Sequence, residues 1–450
     1  MKKIDAQALR LATAGGGKIY IETYGCQMNV GDSEVVLSIM KDNGYERTEY
    51  IDNADVILIN TCAVRDNAEQ RIWGRLFEMR AVKRRRGWVM VGIIGCMAER
   101  LKEELMEREQ VVDLVVGPDS YRSLPDLVRT AATGGKAINV MLSHEETYAE
   151  ISPVRTDKNG VSAFVAIMRG CNNMCSYCVV PYTRGAERSR SFETIINEVR
   201  NLFERGYREV TLLGQNVNSY MDGQVGFAQL LRAVAEISPL LRVRFATSHP
   251  KDLSDEVINV IASYKNICRS IHLPAQSGSN VMLQVMNRKY TREWYLERIS
   301  AIKKSIPECS VSTDLIAGFC GETEQDHADT LSLMNEVGYE FAYMFKYSER
   351  PNTKAARTMA DDISEDVKTA RLTEIINLQN ELSLASNKRD IGKVFEVLVE
   401  GQSKRSAEQL FGRTSQNKVV VFDGRGAKVG DYVDVVVNSC SSATLMGEVV

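Results

Sequence analysis

The sequence predicts an α/β protein in three parts: a parallel-sheet domain first, a partial barrel of six strand–helix units next, and a small antiparallel β-barrel last. Three observations carry this. Continuous apolar runs alternate with amphipathic helical patterns over the first 150 residues. Six further strand-like runs alternate with helices up to about residue 385. The remainder is a series of short β runs separated by turns bearing Gly and Asn. Strands buried on both faces read as unbroken apolar stretches, and they need crossover helices between them.

Composition narrows the field. The 450 residues, 44% of them hydrophobic, suffice for several cores, and a net charge of −3 announces neither a nucleic-acid nor a membrane partner. No stretch approaches the roughly 18 apolar residues of a membrane-spanning helix. Residues 1–17 hold two lysines but no apolar core, and are expected to be a flexible tail rather than a signal peptide. With no such signal, the ten cysteines are expected to be reduced thiols in a cytoplasmic protein, some of them on metal.

Residues 18–150 form the first expected domain, a Rossmann-like parallel sheet. "KIYIETYGC", "ADVILINTC" and "WVMVGIIGC" are strands that run into Cys26, Cys62 and Cys96. A helix carrying Val35, Val36, Ile39 and Met40 follows the first, with Asp32 or Ser33 as its expected N-cap. In a parallel sheet all strand C-termini share one edge, where ligands bind. The three cysteines, distant in sequence, should therefore converge there.

Residues 155–385 form the second domain, a partial (β/α)6 barrel of the TIM type. Its strands are "SAFVAIM", "EVTLLG", "RVRFATS", "SIHLPA", "SVSTDLIAGF" and "YEFAYMFKYS". The helix "SFETIINEVRNLFERG" sets Ile195, Ile196, Val199, Leu202 and Phe203 on one face and stops at Gly206. Functional residues are expected at the strand C-termini. Residues 386–450 form the third domain, the small barrel, joined by the helix "VKTARLTEIINLQNELSLASNKRD".

Three more cysteines, Cys171, Cys175 and Cys178, lie within eight residues just after the first barrel strand. Structural zinc wants four closed ligands, and ferredoxin clusters also take four cysteines. Three thiolates on an iron–sulfur cubane leave one iron open to a small chelating ligand, and the amine and carboxylate of S-adenosyl-L-methionine (SAM) form such a chelate.

C-x3-C-x-aromatic-C after a first barrel strand resembles the radical SAM superfamily. "ETYGCQMN", "INTCAVRDNA" and "IIGCMAER" resemble the amino-terminal domain of methylthiotransferases, "RGCNNMCSYCVVPYTRGAERSRS" and "LLGQNVNSY" resemble their tRNA-modifying MiaB branch, and "VEGQSKRS…LFGRTSQNKVVVF" is similar to a TRAM domain, an RNA-binding barrel. Where this chain has Cys320 and Asn352 the family usually has Pro and Gly; Asn tolerates left-handed backbone. The resemblance implies two [4Fe-4S] clusters. One on Cys171, Cys175 and Cys178 would cleave SAM to a 5′-deoxyadenosyl radical. An auxiliary one on Cys26, Cys62 and Cys96 would carry the sulfur that a second SAM methylates. It implies SAM contacts from Tyr177 and from the turn Gly214, Gln215 and Asn216, with Ser248, Gln276, Ser277 and Asp314 as further cofactor-binding candidates. The implied reaction is methylthiolation at C2 of N6-isopentenyl-adenosine beside the tRNA anticodon, with an external electron donor such as flavodoxin or ferredoxin and a monomeric enzyme. Threonylcarbamoyl-adenosine or a ribosomal protein side chain is the alternative substrate.

The basic run Arg84, Arg85 and Arg86 is expected to contact tRNA phosphates beside the site, as are Lys404, Arg405, Arg413 and Lys418. Glu187, Arg188 and Arg190 suit either anchoring or an ion-pair network. Cys268, Cys309, Cys320 and Cys440, with no partners at metal spacing, are expected to be buried packing residues, and His249 and His272 satisfied core histidines.

Overall fold

A computed structural model describes residues 16–63, 66–135, 137–156, 159–246, 248–404, 406 and 408–450, with residues 66–70 described by backbone alone. Residues 1–15 of the expected tail, and Arg405, lie outside the described residues. By internal contacts the chain forms two units: one of residues 1–156, 168–172 and 178–190, the other of 157–167, 173–177 and 191–450.

The first unit is built on a six-stranded sheet: β1 (Gly17–Tyr24), β2 (Tyr45–Arg47), β3 (Val56–Thr61), β4 (Met90–Gly95), β5 (Leu114–Val116) and β6 (Ala137–Asn139). The order is β2-β1-β3-β4-β5-β6 and every pairing is parallel. Every residue of β3 and β4 is buried, because apolar layers cover both faces: one gathers Val36, Met40, Leu58 and Ile94, the other Ile57, Ile72, Leu76 and Ile93. Register does the functional work. Tyr24 pairs with Thr61 and Thr61 with Gly95, so β1, β3 and β4 end level.

One boundary differs from expectation. The first helix spans Gln27–Asp42 with Cys26 at its N-cap. Asp32 and Ser33 are interior and buried, not capping. The cap rule reads short polar residues locally, whereas tertiary partners keep Asp32 inside the helix.

The second unit holds six parallel barrel strands: β7 (Ser162–Ala166), β10 (Glu209–Leu213), β13 (Arg242–Phe245), β14 (Ser270–His272), β15 (Ser310–Ala317) and β16 (Phe341–Lys346). They form two three-stranded sheets, β13-β10-β7 and β14-β15-β16, linked by one parallel bridge between Val243 and Ile267. Two short pairs lie outside these sheets: β8 (Met168–Arg169) with β9 (Arg188–Ser189), which belongs to the first unit, and β11 (Met221–Asp222) with β12 (Val225–Gly226) in the second. The linking helix spans Glu365–Lys388.

A closed barrel follows: β17 (Val394–Gln402), β18 (Gln409–Thr414), β19 (Val419–Asp423), β20 (Tyr432–Cys440) and β21 (Leu445–Val449). The expected antiparallel barrel has one parallel pairing, β19 with β21, which closes it. Val397, Val399, Val420, Phe422, Val435, Val437 and Leu445 fill it. Its β18–β19 turn docks on the N-terminal ends of the barrel strands: Ser310 Oγ donates to the Gln416 carbonyl (2.7 Å), and Arg244 donates to that of Thr414 (2.7 Å).

Candidate metal centres

Cys62 and Cys96 directly follow β3 and β4, and Cys26 follows β1 by one further residue, Gly25. Two glycines let the thiols approach. Gly25 has φ +146°, and a Cβ there would sit 2.6 Å from the Cys62 Cβ; Gly95 has φ +92°, and a Cβ would meet the Asn60 Oδ1 at 2.5 Å. Substitution at either position strains the backbone and collides as well. Asn29 fastens the edge, donating to Asn60 Oδ1 (3.0 Å) and the Thr61 carbonyl (3.1 Å) while accepting from the Cys26 Sγ (3.2 Å).

The thiols are in electrostatic contact. A hydrogen bond from Cys62 lowers Cys26 to about 6; burial opposes it and the Arg184 cation assists. Burial pushes Cys96 up, with Arg184 pulling against it. Thiolates are the metal-binding form, so Arg184 favours the ligating state of both.

Arg184 was not among the expected site residues. It ends the short helix Val180–Arg184 after the second cysteine group and is buried. Its Nε donates to Cys96 Sγ at 3.1 Å, and its Nη2 donates to Asp32 Oδ2 at 2.7 Å. Arg169 donates to the other Asp32 oxygen at 2.5 Å and lies over the Tyr148 ring. Burial pushes the Asp32 carboxyl up, but the two guanidinium groups outweigh it and hold it below the usual range. Arg188 pairs with buried Asp119 at 2.8 Å, so of its two expected roles the structure shows the ion pair.

Cys171 and Cys178 belong to the first unit, Cys175 and Tyr177 to the second. The Cys171 N–H donates to the Gly185 carbonyl (3.1 Å). Cys175 is buried, and its Sγ accepts from Nη1 of buried Arg288 at 3.3 Å. Arg288 also reaches the Tyr177 hydroxyl (3.3 Å), the Pro274 carbonyl (2.8 Å) and the Tyr290 hydroxyl (3.0 Å). Tyr177 packs edge-on against Phe319.

The residues expected to meet SAM divide. Gly214, Gln215 and Asn216 follow β10 and Ser248 follows β13, as a strand-end site requires. Gln215 Oε1 is buried and unpartnered, as are Asn218 Nδ2 and His249 Nε2 nearby in sequence. Asn216, by contrast, spends its amide on Asp252 (2.7 Å) and on the His249 N–H (2.9 Å), which makes it a brace between two loops. Ser277 is buried against Thr330 on a covering helix (3.3 Å). Gln276 sits after β14 with a strained φ of +72°, and Asp314 on β15 pairs with His272 at 3.3 Å. His249 differs from a satisfied core histidine. Its Nδ1 accepts from the Lys251 N–H but its Nε2 has no partner, and burial together with the Arg288 and Lys251 cations pushes it down to about 2. The face of β14–β16 that carries His272 and Asp314 also exposes Phe341, Tyr343 and Phe345.

The basic candidates fare differently. Arg84–Arg86 end the helix Asp66–Arg86, which leads into the start of β4. That is the sheet edge opposite the cysteines, not beside them. Arg85 pairs with Asp52, Arg86 donates to the Ala54 carbonyl, and Arg84 is exposed. Arg413 is held by Glu209 (3.0 Å) and Glu400 (2.6 Å), and Lys418 by Asp390 (2.6 Å) and Ser386 (2.9 Å). They tie the small barrel down, because carboxylates no local pattern reveals claim their charges. Lys404 is exposed. Cys268, Cys309 and Cys320 are buried, as expected, but Cys440 is only half-buried. Asn352 takes the left-handed backbone, φ +71°.

Among the described residues no three Cys, His, Asp or Glu side chains are gathered tightly enough for a single metal ion. A cubane takes each thiolate on a different iron and spreads its ligands wider. The donors fit such a group: three thiols end one sheet edge, and a buried guanidinium touches one of them.

Three family models match the chain: the uncharacterized protein family UPF0004 over residues 18–117, the radical SAM superfamily over 165–334 and the TRAM domain over 388–450. Among solved structures, the radical SAM methyltransferase TsrM from Kitasatospora setae, with tryptophan and a SAM analogue, aligns with TM-score 0.60 at 14% identity, covering 76% of this chain and 75% of that one. The cobalamin-dependent SAM radical enzyme OxsB gives TM-score 0.53 at 11% identity, covering 82% and 62%. Fold and family matches together define a radical SAM enzyme with an appended TRAM barrel. Relatives named tRNA-2-methylthio-N(6)-dimethylallyladenosine synthase share 60% identity in Porphyromonas gingivalis, covering 96% of this chain and 95% of that one, and 59% in Phocaeicola vulgatus, covering 100% and 99%. The chain belongs to the family of tRNA-2-methylthio-N(6)-dimethylallyladenosine synthases.

Proposed function

We propose that the protein methylthiolates C2 of N6-isopentenyl-adenosine beside the tRNA anticodon. The observation that carries the reading is the pairing of family membership with two separate cysteine groups, each touched by its own buried arginine. Cys26, Cys62 and Cys96 would hold the auxiliary cluster, and Cys171, Cys175 and Cys178 the cluster that takes SAM. When bound, these groups supply reductive cleavage of SAM, a sulfur to insert at an unactivated C–H bond, and the methyl group that caps it.

The chain's own residues bind, orient and exclude water. Arg184 and Arg288 hold one thiolate of each group. Gln215, Asn218 and His249 keep buried donors and acceptors without protein partners for a polar ligand at the strand ends. The aromatic faces of Tyr343 and Phe345 suit a base splayed from a loop, which is how single-stranded RNA is commonly read. Exposed Lys404 is the phosphate contact. Electrons come from an external low-potential carrier, a flavodoxin or ferredoxin. The enzyme works as a monomer in the cytoplasm; among the described residues no helix is long and apolar enough to cross a membrane.

The test is nucleoside mass spectrometry of isopentenylated tRNA treated anaerobically with reconstituted enzyme, SAM and reductant. A methylthio gain on isopentenyl-adenosine is expected. Gain only on threonylcarbamoyl-adenosine, or on a ribosomal protein, overturns the reading. Changing Cys26, Cys62 and Cys96 to Ala should leave SAM cleavage intact and stop thiolation, whereas changing Cys171, Cys175 and Cys178 should stop both.

A further inference from the structure

Three buried charged groups in the first unit do not balance one another. Asp32, Arg169 and Arg184 are buried beside the sheet edge that carries Cys26, Cys62 and Cys96. Two guanidinium groups share one carboxylate, at 2.5 and 2.7 Å. The triad therefore keeps one net positive charge away from water, and an isolated buried charge is costly unless an anion answers it. Arg184 also has a nitrogen, Nη1, that is buried with no hydrogen-bond partner. Its Nε meanwhile points at Cys96 Sγ, 3.1 Å away.

Three thiolates on an oxidised four-iron cubane leave one net negative charge. Charge, position and spare donor all match that anion. We propose that Arg184, held with Arg169 on the single carboxylate of Asp32, is the positioning residue and counter-charge of the auxiliary cluster. Its Nε fixes the Cys96 thiolate, and its free Nη1 is the donor left for a second sulfur. Reduction adds a negative charge to a cluster, and nearby cations and hydrogen bonds to sulfur make that easier, raising the potential. The inference rests on the cluster assignment above. It adds that Arg184 sets the potential, and that Arg169 contributes charge without touching a thiol.

The test uses the full chain with Cys171, Cys175 and Cys178 changed to Ala, so that only the auxiliary site loads. After anaerobic reconstitution, iron is counted and the midpoint potential is read by EPR-monitored redox titration. Circular dichroism confirms the fold. Arg184→Gln is expected to shift the potential to more negative values and to speed iron loss to a chelator. Arg169→Gln should shift the potential the same way, while Arg184→Lys, which keeps the charge, should recover most of the shift. Should R184Q not fold, R169Q carries the same sign test. A loaded cluster with unchanged potential in both R184Q and R169Q overturns the role of the triad. Failure of the parent protein to load any cluster overturns the cluster assignment itself, and the inference with it.

Discussion

The two buried arginines that touch cysteine sulfur are alike in contact and opposite in support. Arg184 reaches Cys96 while gripping ionised Asp32. Arg288 reaches Cys175 while gripping only neutral groups: a carbonyl and two tyrosine hydroxyls. No carboxylate pairs with it among the described residues. Asp32 answers one of the two charges it is given and leaves one over, whereas Arg288 has no carboxylate at all among the described residues. The lesson is that charge near a metal ligand has to be counted together with its neighbours, because only the excess is left for an arriving anion.

The largest effect should come from unbalancing the first arrangement. Asp32→Asn strands two guanidinium groups in the interior and is expected to cost about 3–5 kcal/mol in denaturant unfolding of the anaerobic apo-protein. Arg288→Met removes a charge that no carboxylate balances together with its hydrogen bonds to a carbonyl and two tyrosine hydroxyls, and should cost less than Asp32→Asn. Equal destabilisation by both would break the comparison. The second effect is ligand linkage. Cluster loading should raise the melting temperature of both triple-cysteine variants, because either site holds one buried positive charge that the cluster anion answers.

Acid should separate the two regions next. His249 is held down to about 2, against roughly 6.5 when unfolded. Between those values the unfolded chain binds the extra proton, so stability falls as pH drops below about 6.5, by at most about 1.4 kcal/mol per pH unit. Asp32 is also depressed, but its unfolded value is near 3.8, so its contribution survives until the pH falls below about 4. Denaturation titrations of wild type and His249→Asn should differ between pH 4 and 6.5 and converge at pH 7.5; parallel curves would remove His249 from the account. The smallest effect concerns RNA. Lys404→Glu should weaken tRNA binding and reduce its salt slope by about one. Arg413→Ala should leave that slope alone while loosening the small barrel by about 1–2 kcal/mol. A changed slope for R413A would restore the phosphate role its neighbours argue against.

The strands and their terminal cysteines were legible because both signals are local. An unbroken apolar run marks a strand buried on both faces, and the residue after it stands at the sheet edge wherever the strand lies. Asp32 misled for the same reason: a short polar residue near a helix start looks like a cap, but this helix starts at Gln27. Arg413 and Lys418 looked like RNA contacts because no nearby residue shows that Glu209 and Asp390 will claim them. Arg169 and Arg184 were in plain view on either side of the second cysteine group, yet their partner lies more than a hundred residues earlier.

The sequence alone determined the parallel sheet, the barrel strands, the terminal β-barrel and the six thiols, since periodicity and spacing survive in one dimension. Only the tertiary structure decided which charges meet. An ion pair is chosen by distance in space and by the low polarity around it, and neither is written along the chain. Thus Asp32 became the shared counter-ion of two arginines, and Arg288 was left with none.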